Sequence, residues 1–290
     1  MYTGNMKRSF FVGCKTTLAL SVAIVFQVIL PCAGWAQNSP SQMAIDSHES
    51  WDGALHAAAG HFRLPEGEAR LESYQKDKKN GENTSLSQNS ITVLENGYRI
   101  YSISGQEETE VYTDSLLRLQ SKRQLILDPE WQKRLGFMRM ETTVNDGEAR
   151  WTRHSPKDKV ESGNTQTEPD SLDMALMGPA LTILVNAGRR APIEATLPMG
   201  SMNVGFRFTF HETDSPREKS RSYPFPAGWE PPEERAGVLV EMQLTGAPAL
   251  VWRHRQYFFF ARGESAAALK LVSAWGGDPK WPSIQRVAGP

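Results

Sequence analysis

Residues 170–187, DSLDMALMGPALTILVNA, are apolar on nearly every face and stand among strand-like segments. A helix without a polar face has to be covered on all sides. The run is too short, and too broken by Gly178-Pro179, for a bilayer span of about 20 apolar residues. It therefore predicts a kinked or two-piece core helix. Asp170 is the expected cap at its start and Gly188 the expected stop. What covers such a helix must come from the remaining chain, and that chain reads as β.

Residues 68–76 (EARLESYQK) predict a first strand, and the polar stretch 77–89 predicts a loop. Segments 91–94 and 98–103 flank Glu95-Asn96-Gly97, and 135–144 and 148–154 flank Asn145-Asp146-Gly147. Both turns suit tight hairpins, because Asn-Gly and Asp-Gly accept positive φ. Residues 109–113 and 115–126 continue the meander, and 202–210, 236–244, 250–262 and 268–275 resume it after the helix. Residues 47–60 predict a short helix, capped by Ser47 or Asp46, with Trp51, Leu55 and Ala59 four apart and Gly60 as its stop. The proline- and charge-rich 214–234 reads as a surface loop. The expected fold is mainly β with one or two helices: a curved antiparallel sheet, a half-barrel, wrapped on a buried central helix.

The N-terminus carries an export pattern. Lys7, Arg8 and Lys15 precede an apolar run over 18–30, Pro31 ends it, and Ala33-Gly34-Trp35-Ala36 offers small residues for cleavage after Ala36. The expected organisation is a signal peptide over 1–36, a tether and short helix over 37–65, a single β-rich domain over 66–277 and a tail over 278–290. After cleavage no transmembrane span is expected. Pro31 stands where a lipoprotein signal has a small residue before its cysteine, so lipidation of Cys32 is not expected. Cys14 and Cys32 leave with the signal, which removes cysteine nucleophiles, Cys-ligated zinc and thiol redox chemistry. The composition, 39% hydrophobic and 22% charged, is globular, and a formal net charge of −1 gives no field drawing the chain to nucleic acid.

Catalytic spellings are incomplete. Gly263-Glu264-Ser265-Ala266-Ala267 approximates a nucleophile elbow, but the last histidine, His254, precedes the serine, so the segment reads as a turn. Ser73-Tyr74-Gln75-Lys76 spells S-x-x-K in a strand rather than a helix. His48, His56, His61, His154, His211 and His254 show no helical zinc spacing. His211-Glu212 beside Asp214 reads as an ordinary polar strand end. Glu107, Glu108 and Glu110 cluster in what reads as a solvated hairpin, and Arg189-Arg190 suits the end of the buried helix. Lys76, Lys78 and Lys79 are diluted by Asp77 and Glu82. No catalytic residue, metal site or cofactor is expected.

Apolar residues on strands are abundant. Phe206, Phe208 and Phe210 share one face of their strand; Val238, Val240, Met242 and Leu244 share another; Trp252, Phe258 and Phe260 alternate with Tyr257 and Phe259. A strand aromatic on both faces touches apolar material on both sides. Much of this is core. The functional reading is an apolar cleft inside a curved sheet, lined by Phe206, Phe208, Phe210, Met242, Trp252 and Phe258.

Leu250-Val251-Trp252 through Tyr257-Phe258-Phe259, followed by Leu269-Lys270-Leu271-Val272-Ser273-Ala274-Trp275-Gly276, resembles the closing hairpin of exported bacterial β-rich proteins of unknown function with a lipoprotein-carrier-like half-barrel. As architecture the resemblance spans residues 66–277. It implies a curved sheet wrapped on a helix and periplasmic handling of lipid or lipoprotein, with no catalytic residues to carry over. The expected function is an exported, soluble, non-enzymatic protein that binds a lipid-like ligand or an envelope protein carrying one, in a bacterial periplasm or outside the cell. The alternatives are an envelope scaffolding factor, using a strand edge or the 214–234 loop, and a carboxylate-based hydrolase of an envelope polymer.

Overall fold

The computed structural model describes residues 49–77, 81–167, 173–199, 202–219, 223–232, 234–246, 249, 255–262, 268–277, 280 and 282–288. The expected signal peptide, Asp46, Ser47, His48, Asp170, Trp252, His254 and the turn expected over 263–267 lie outside them.

Fifteen strands are described, joined in one sheet. After a two-residue β1 (Glu49–Ser50), the first half is a meander of β2 (Gly67–Asp77), β3 (Gly81–Leu94), β4 (Gly97–Ser104), β5 (Glu107–Asp114), β6 (Leu119–Ile126), β7 (Arg139–Asn145), β8 (Glu148–His154) and β9 (Val160–Gln166). The second half holds β10 (Ile193–Met199), β11 (Met202–Thr213), β12 (Gly237–Leu244), β13 (Gln256–Arg262), β14 (Leu269–Gly276) and β15 (Ser283–Val287). The halves join where β15 pairs antiparallel with β2, from Ser283 opposite Gln75 to Val287 opposite Leu71. The spatial order runs β1, β10 to β15, then β2 to β9. Among the described strands only β1 and β10 pair in parallel.

Two helices lie on the inner face of this curved sheet. The first, α1 (Trp51–Ala59), starts at Ser50, whose hydroxyl accepts from the Gly53 amide at 3.2 Å. Its buried residues are Trp51, Ala54, Leu55 and Ala58, the one-sided spacing of a helix with one wet face. Residues 174–187 hold a 3-10 turn, Met174–Leu176, that runs into α3 (Met177–Asn186). The expected two-piece helix is present, but its break precedes Met177. Pro179 falls in the first turn, where its missing N–H costs no hydrogen bond. Asp173 caps the turn, accepting from the Ala175 amide at 2.8 Å. Gly188 ends the helix with φ +79°. Leu181, Ile183 and Leu184 are fully buried against α1 and the sheet.

Two further short helices were not expected. The first is α2 (Pro129–Leu135), between β6 and β7. Asp128 caps it through the Glu130 and Trp131 amides, and Gly136 closes it in the left-handed region, φ 77°. The second is α4 (Pro216–Lys219).

Four sequence expectations are corrected. Residues 81–89 are not loop but the first part of β3, in an eleven-rung ladder with β2; polar side chains on both faces, Leu86 apart, hid a strand pattern. Residues 283–287 are not tail but a central strand, and α1 belongs to the core, so the folded unit exceeds 66–277 at both ends. The 214–234 region is not a free loop: Tyr223, Phe225 and Trp229 pack on the outer face as a strap. That strap covers the second aromatic face of β13.

The Asn145-Asp146-Gly147 hairpin is as expected, with φ 50° at Asp146 and 77° at Gly147. The Glu95-Asn96-Gly97 turn uses glycine differently, since neither Asn96 nor Gly97 has positive φ. A Cβ on Gly97 would collide with the backbone of Thr113 and Asp114 on β5. Backbone cannot swing aside as a side chain can. Gly97→Ala should therefore cost about 1–3 kcal/mol in urea unfolding. An unshifted midpoint would mean the β4–β5 approach is looser than described.

Candidate functional site

Residues opposite one another in register share a sheet face. On that basis the inner face divides into two banks.

The apolar bank comes from β10 to β14. Phe206, Phe208 and Phe210 on β11 face Leu244, Met242 and Val240 on β12, and Val240 faces Phe258 on β13. Five of the six residues expected to line a cleft are thus brought together; Trp252 lies outside the described residues. They are buried in the main core, where α1 and α3 cover them. Trp51 of α1 sits 5.0 Å from the Phe208 ring. Phe208 and Phe258 are sealed, while Phe206, Phe210 and Met242, though buried, keep 6–7% of their surface exposed.

The second bank is polar and occupies one end of β15 and β2 to β6; further along the same inward face, Tyr98 and Ile100 of β4 and Val111 of β5 join the main core. Gln285 and Ser73 face each other and are bonded, Nε2 to Oγ, at 3.3 Å. Ser73 faces Ser85, Ser87 faces Ser104, and Asn89 faces Ser102. The row continues through Thr109 and Gln124, both buried. A filled hydrophobic core would place apolar side chains at these inward positions. A wall of hydroxyls and amides instead suits contact with water or with a polar group.

Two ion pairs tie the helices to the polar half. Arg118, after β5, holds Asp52 of α1 through two bonds of 2.9 Å. Lys122 on β6 holds the capping Asp173 at 3.0 Å with both side chains largely buried. Each helix therefore lies on the apolar bank and is pinned to the polar one.

The acidic cluster on β5 is not a solvated hairpin. Glu107 points inward and is 8% exposed; its carboxylate accepts from Thr109 at 2.6 Å and Gln124 at 2.9 Å. Burial pushes its carboxyl up to about 7, against those two hydrogen bonds and the Lys122 charge. Glu108 and Glu110 point outward, and Arg123 lies within 3.3 and 3.4 Å of them. The three carboxylates are therefore split between faces.

The remaining sequence candidates separate. Ser73 faces inward, whereas Lys76 pairs with Glu82. Arg189 pairs with Glu49, and Arg190 with Glu212 at 2.9 Å, so both join strands rather than cap α3. His56 and His61 are exposed near α1, while His154 and His211 lie on strands far apart in the sheet order. Among the described residues no three His, Cys, Asp or Glu side chains gather as a metal site. No described helix is long and apolar enough to cross a membrane.

The polar bank escaped the sequence reading, yet it had a signal. Ser85, Ser87 and Asn89 recur every second residue, and only the assumption that inward means apolar concealed them.

No family model matches the chain, and no curated protein does. Among solved structures, the chain is similar to a β-barrel-like protein of the domain of unknown function DUF1849 from Brucella abortus, with TM-score 0.44 and 12% identity over 78% of this chain and 97% of that one. It is also similar to a putative outer membrane lipoprotein-sorting protein domain from Vibrio parahaemolyticus, with TM-score 0.26 and 7% identity over 83% of this chain and 90% of that one. Both are of the kind the sequence resemblance names, a β-rich bacterial protein of unknown function and a lipoprotein-sorting domain.

Proposed function

We propose that this protein is an exported, non-enzymatic carrier of a lipid-like, amphiphilic ligand. The observation that carries the reading is the division of the inner face into an apolar bank and a polar bank side by side. An amphiphile presents that same division. Its chain would lie on the apolar bank against Phe206, Phe210 and Met242, and deeper contact with Phe208 and Phe258 requires α1 and α3 to shift. Its head would meet the hydroxyl and amide wall. Burial of apolar ligand surface supplies about 25 cal/mol per Å² before ordering costs.

The test is displacement of the fluorescent probe 1-aminoanthracene by a single-chain phospholipid. Phe206→Ala combined with Met242→Ala should weaken displacement about tenfold or more, with the circular dichroism spectrum unchanged. Equal affinity in wild type and variant would contradict this placement of the chain.

A scaffolding role is the second reading, favoured by β9, a sheet edge among the described residues that carries Val160 at 58% exposure. Such an edge can accept a partner strand. Under that reading Ser162→Pro, which removes an N–H that points away from β8, would abolish partner capture and leave amphiphile binding intact.

A further inference from the structure

Gln256, Gly276 and Ser283 stand side by side on β13, β14 and β15, in register across the inner face. Gln256 faces inward with Met242, its partner on β12, and Ser283 alternates with the outward Ile284. Both are buried, at 8% and 0% exposure. Neither the Gln256 Nε2 nor the Ser283 Oγ has a hydrogen-bond partner among the described residues. Between them Gly276 supplies no side chain, and a Cβ there would run into the Gln256 Oε1 and the Arg255 carbonyl. The strap fixes this spot from the other side: the Tyr223 hydroxyl donates to the Gly276 carbonyl and accepts from the Ser283 amide at 3.2 Å.

Two unpartnered donors buried beside a glycine cost free energy unless something accepts from them. We propose that they hold a neutral carbonyl oxygen of the ligand, the ester or amide carbonyl that joins an acyl chain to its head. The assignment rests on the carrier reading above and deepens it. A neutral acceptor fits better than a carboxylate or phosphate. The adjacent cation, Arg255, is already paired with Glu241 at 3.1 Å, and an uncompensated anion is costly to bury. The position also fits, because Met242 of the apolar bank is the next residue in the same row, so a chain leaving the carbonyl would enter that bank directly.

The test compares two probes by calorimetry on the full exported chain: monooleoylglycerol, which has an ester carbonyl, and its ether analogue, which lacks one. The ester should bind wild type at least tenfold more tightly than the ether, since each lost hydrogen bond to a buried donor is worth about tenfold. Gln256→Leu with Ser283→Ala should remove that preference, so that ester and ether bind the variant equally. Equal binding of ester and ether to wild type would overturn the carbonyl site while leaving the carrier reading standing. Binding of neither would overturn the carrier reading itself. A crystal structure with the ester bound, in which a water still occupies both donors, would show a structural water only and would also overturn the site. The ester–ether comparison needs no variant, so misfolding of the double substitution would not obscure it.

Discussion

Trp275→Ala should lower stability by about 3–5 kcal/mol, the cost of emptying a buried aromatic site. Trp275 is fully buried on the outer face of β14. It stacks on Tyr257 with centroids 5.6 Å apart, and Phe225 of the strap meets it edge-on at 5.9 Å. Phe225 in turn lies 5.2 Å from Tyr223, which pins Gly276 and Ser283. The strap's other anchor is Trp229, against Tyr74 at 5.6 Å and under the Arg286 guanidinium at 4.4 Å. Removing the indole opens a cavity and loosens one of two anchors. At a urea slope of about 2 kcal/mol per M, the midpoint should fall by roughly 1.5–2.5 M. Trypsin should then cut at Arg217 or Arg235, at the ends of the strap, faster than in wild type. An unchanged midpoint with unchanged cleavage would mean that the outer cluster is not what holds the strap.

The second large effect concerns pH. The Glu107 carboxyl is pushed up to about 7 by burial, from 4.5. Between those values the folded state binds more protons than the unfolded state. Stability therefore falls as pH rises through that window and levels off above it. Glu107→Gln has no charge to bury, and its new amide oxygen can still accept from Thr109 and Gln124. The variant should match wild type near pH 4 and exceed it by about 2–3 kcal/mol at pH 8. The difference between the two unfolding curves isolates this group from every other titration. Parallel curves from pH 4 to pH 8 would show that the carboxylate is better solvated than its burial indicates.

How legible the fold was depended on local chemistry. The β11 pattern, with Phe206, Phe208 and Phe210 at every second position, and the Asp146-Gly147 turn announced themselves, because burial on one face leaves period two and a tight turn selects glycine. The apolar helix gave away its own burial. By contrast β3 over 81–90 carries a single large apolar side chain, Leu86, and that one is exposed, so alternation had no hydrophobic signal to ride on. β15 is five residues long, and its central place depends on pairing with β2 some two hundred residues earlier, which no local pattern encodes. The short α2 could have been found: Asp128 before Pro129, with Gly136 after Leu135, is a start and stop signal. The candidate site divides the same way. The phenylalanine stripe was readable from the sequence. The Gln256–Gly276–Ser283 group was not, since only the register of three strands places those residues together.

Native mass spectrometry of the protein, purified without detergent from a cell extract, tests the carrier account most directly. The account predicts a bound mass that survives gentle ionisation, is released on denaturation and extracts into organic solvent. A bare protein mass from a sample shown to be folded would contradict it, leaving the apolar bank as core and the polar bank as a wall for water.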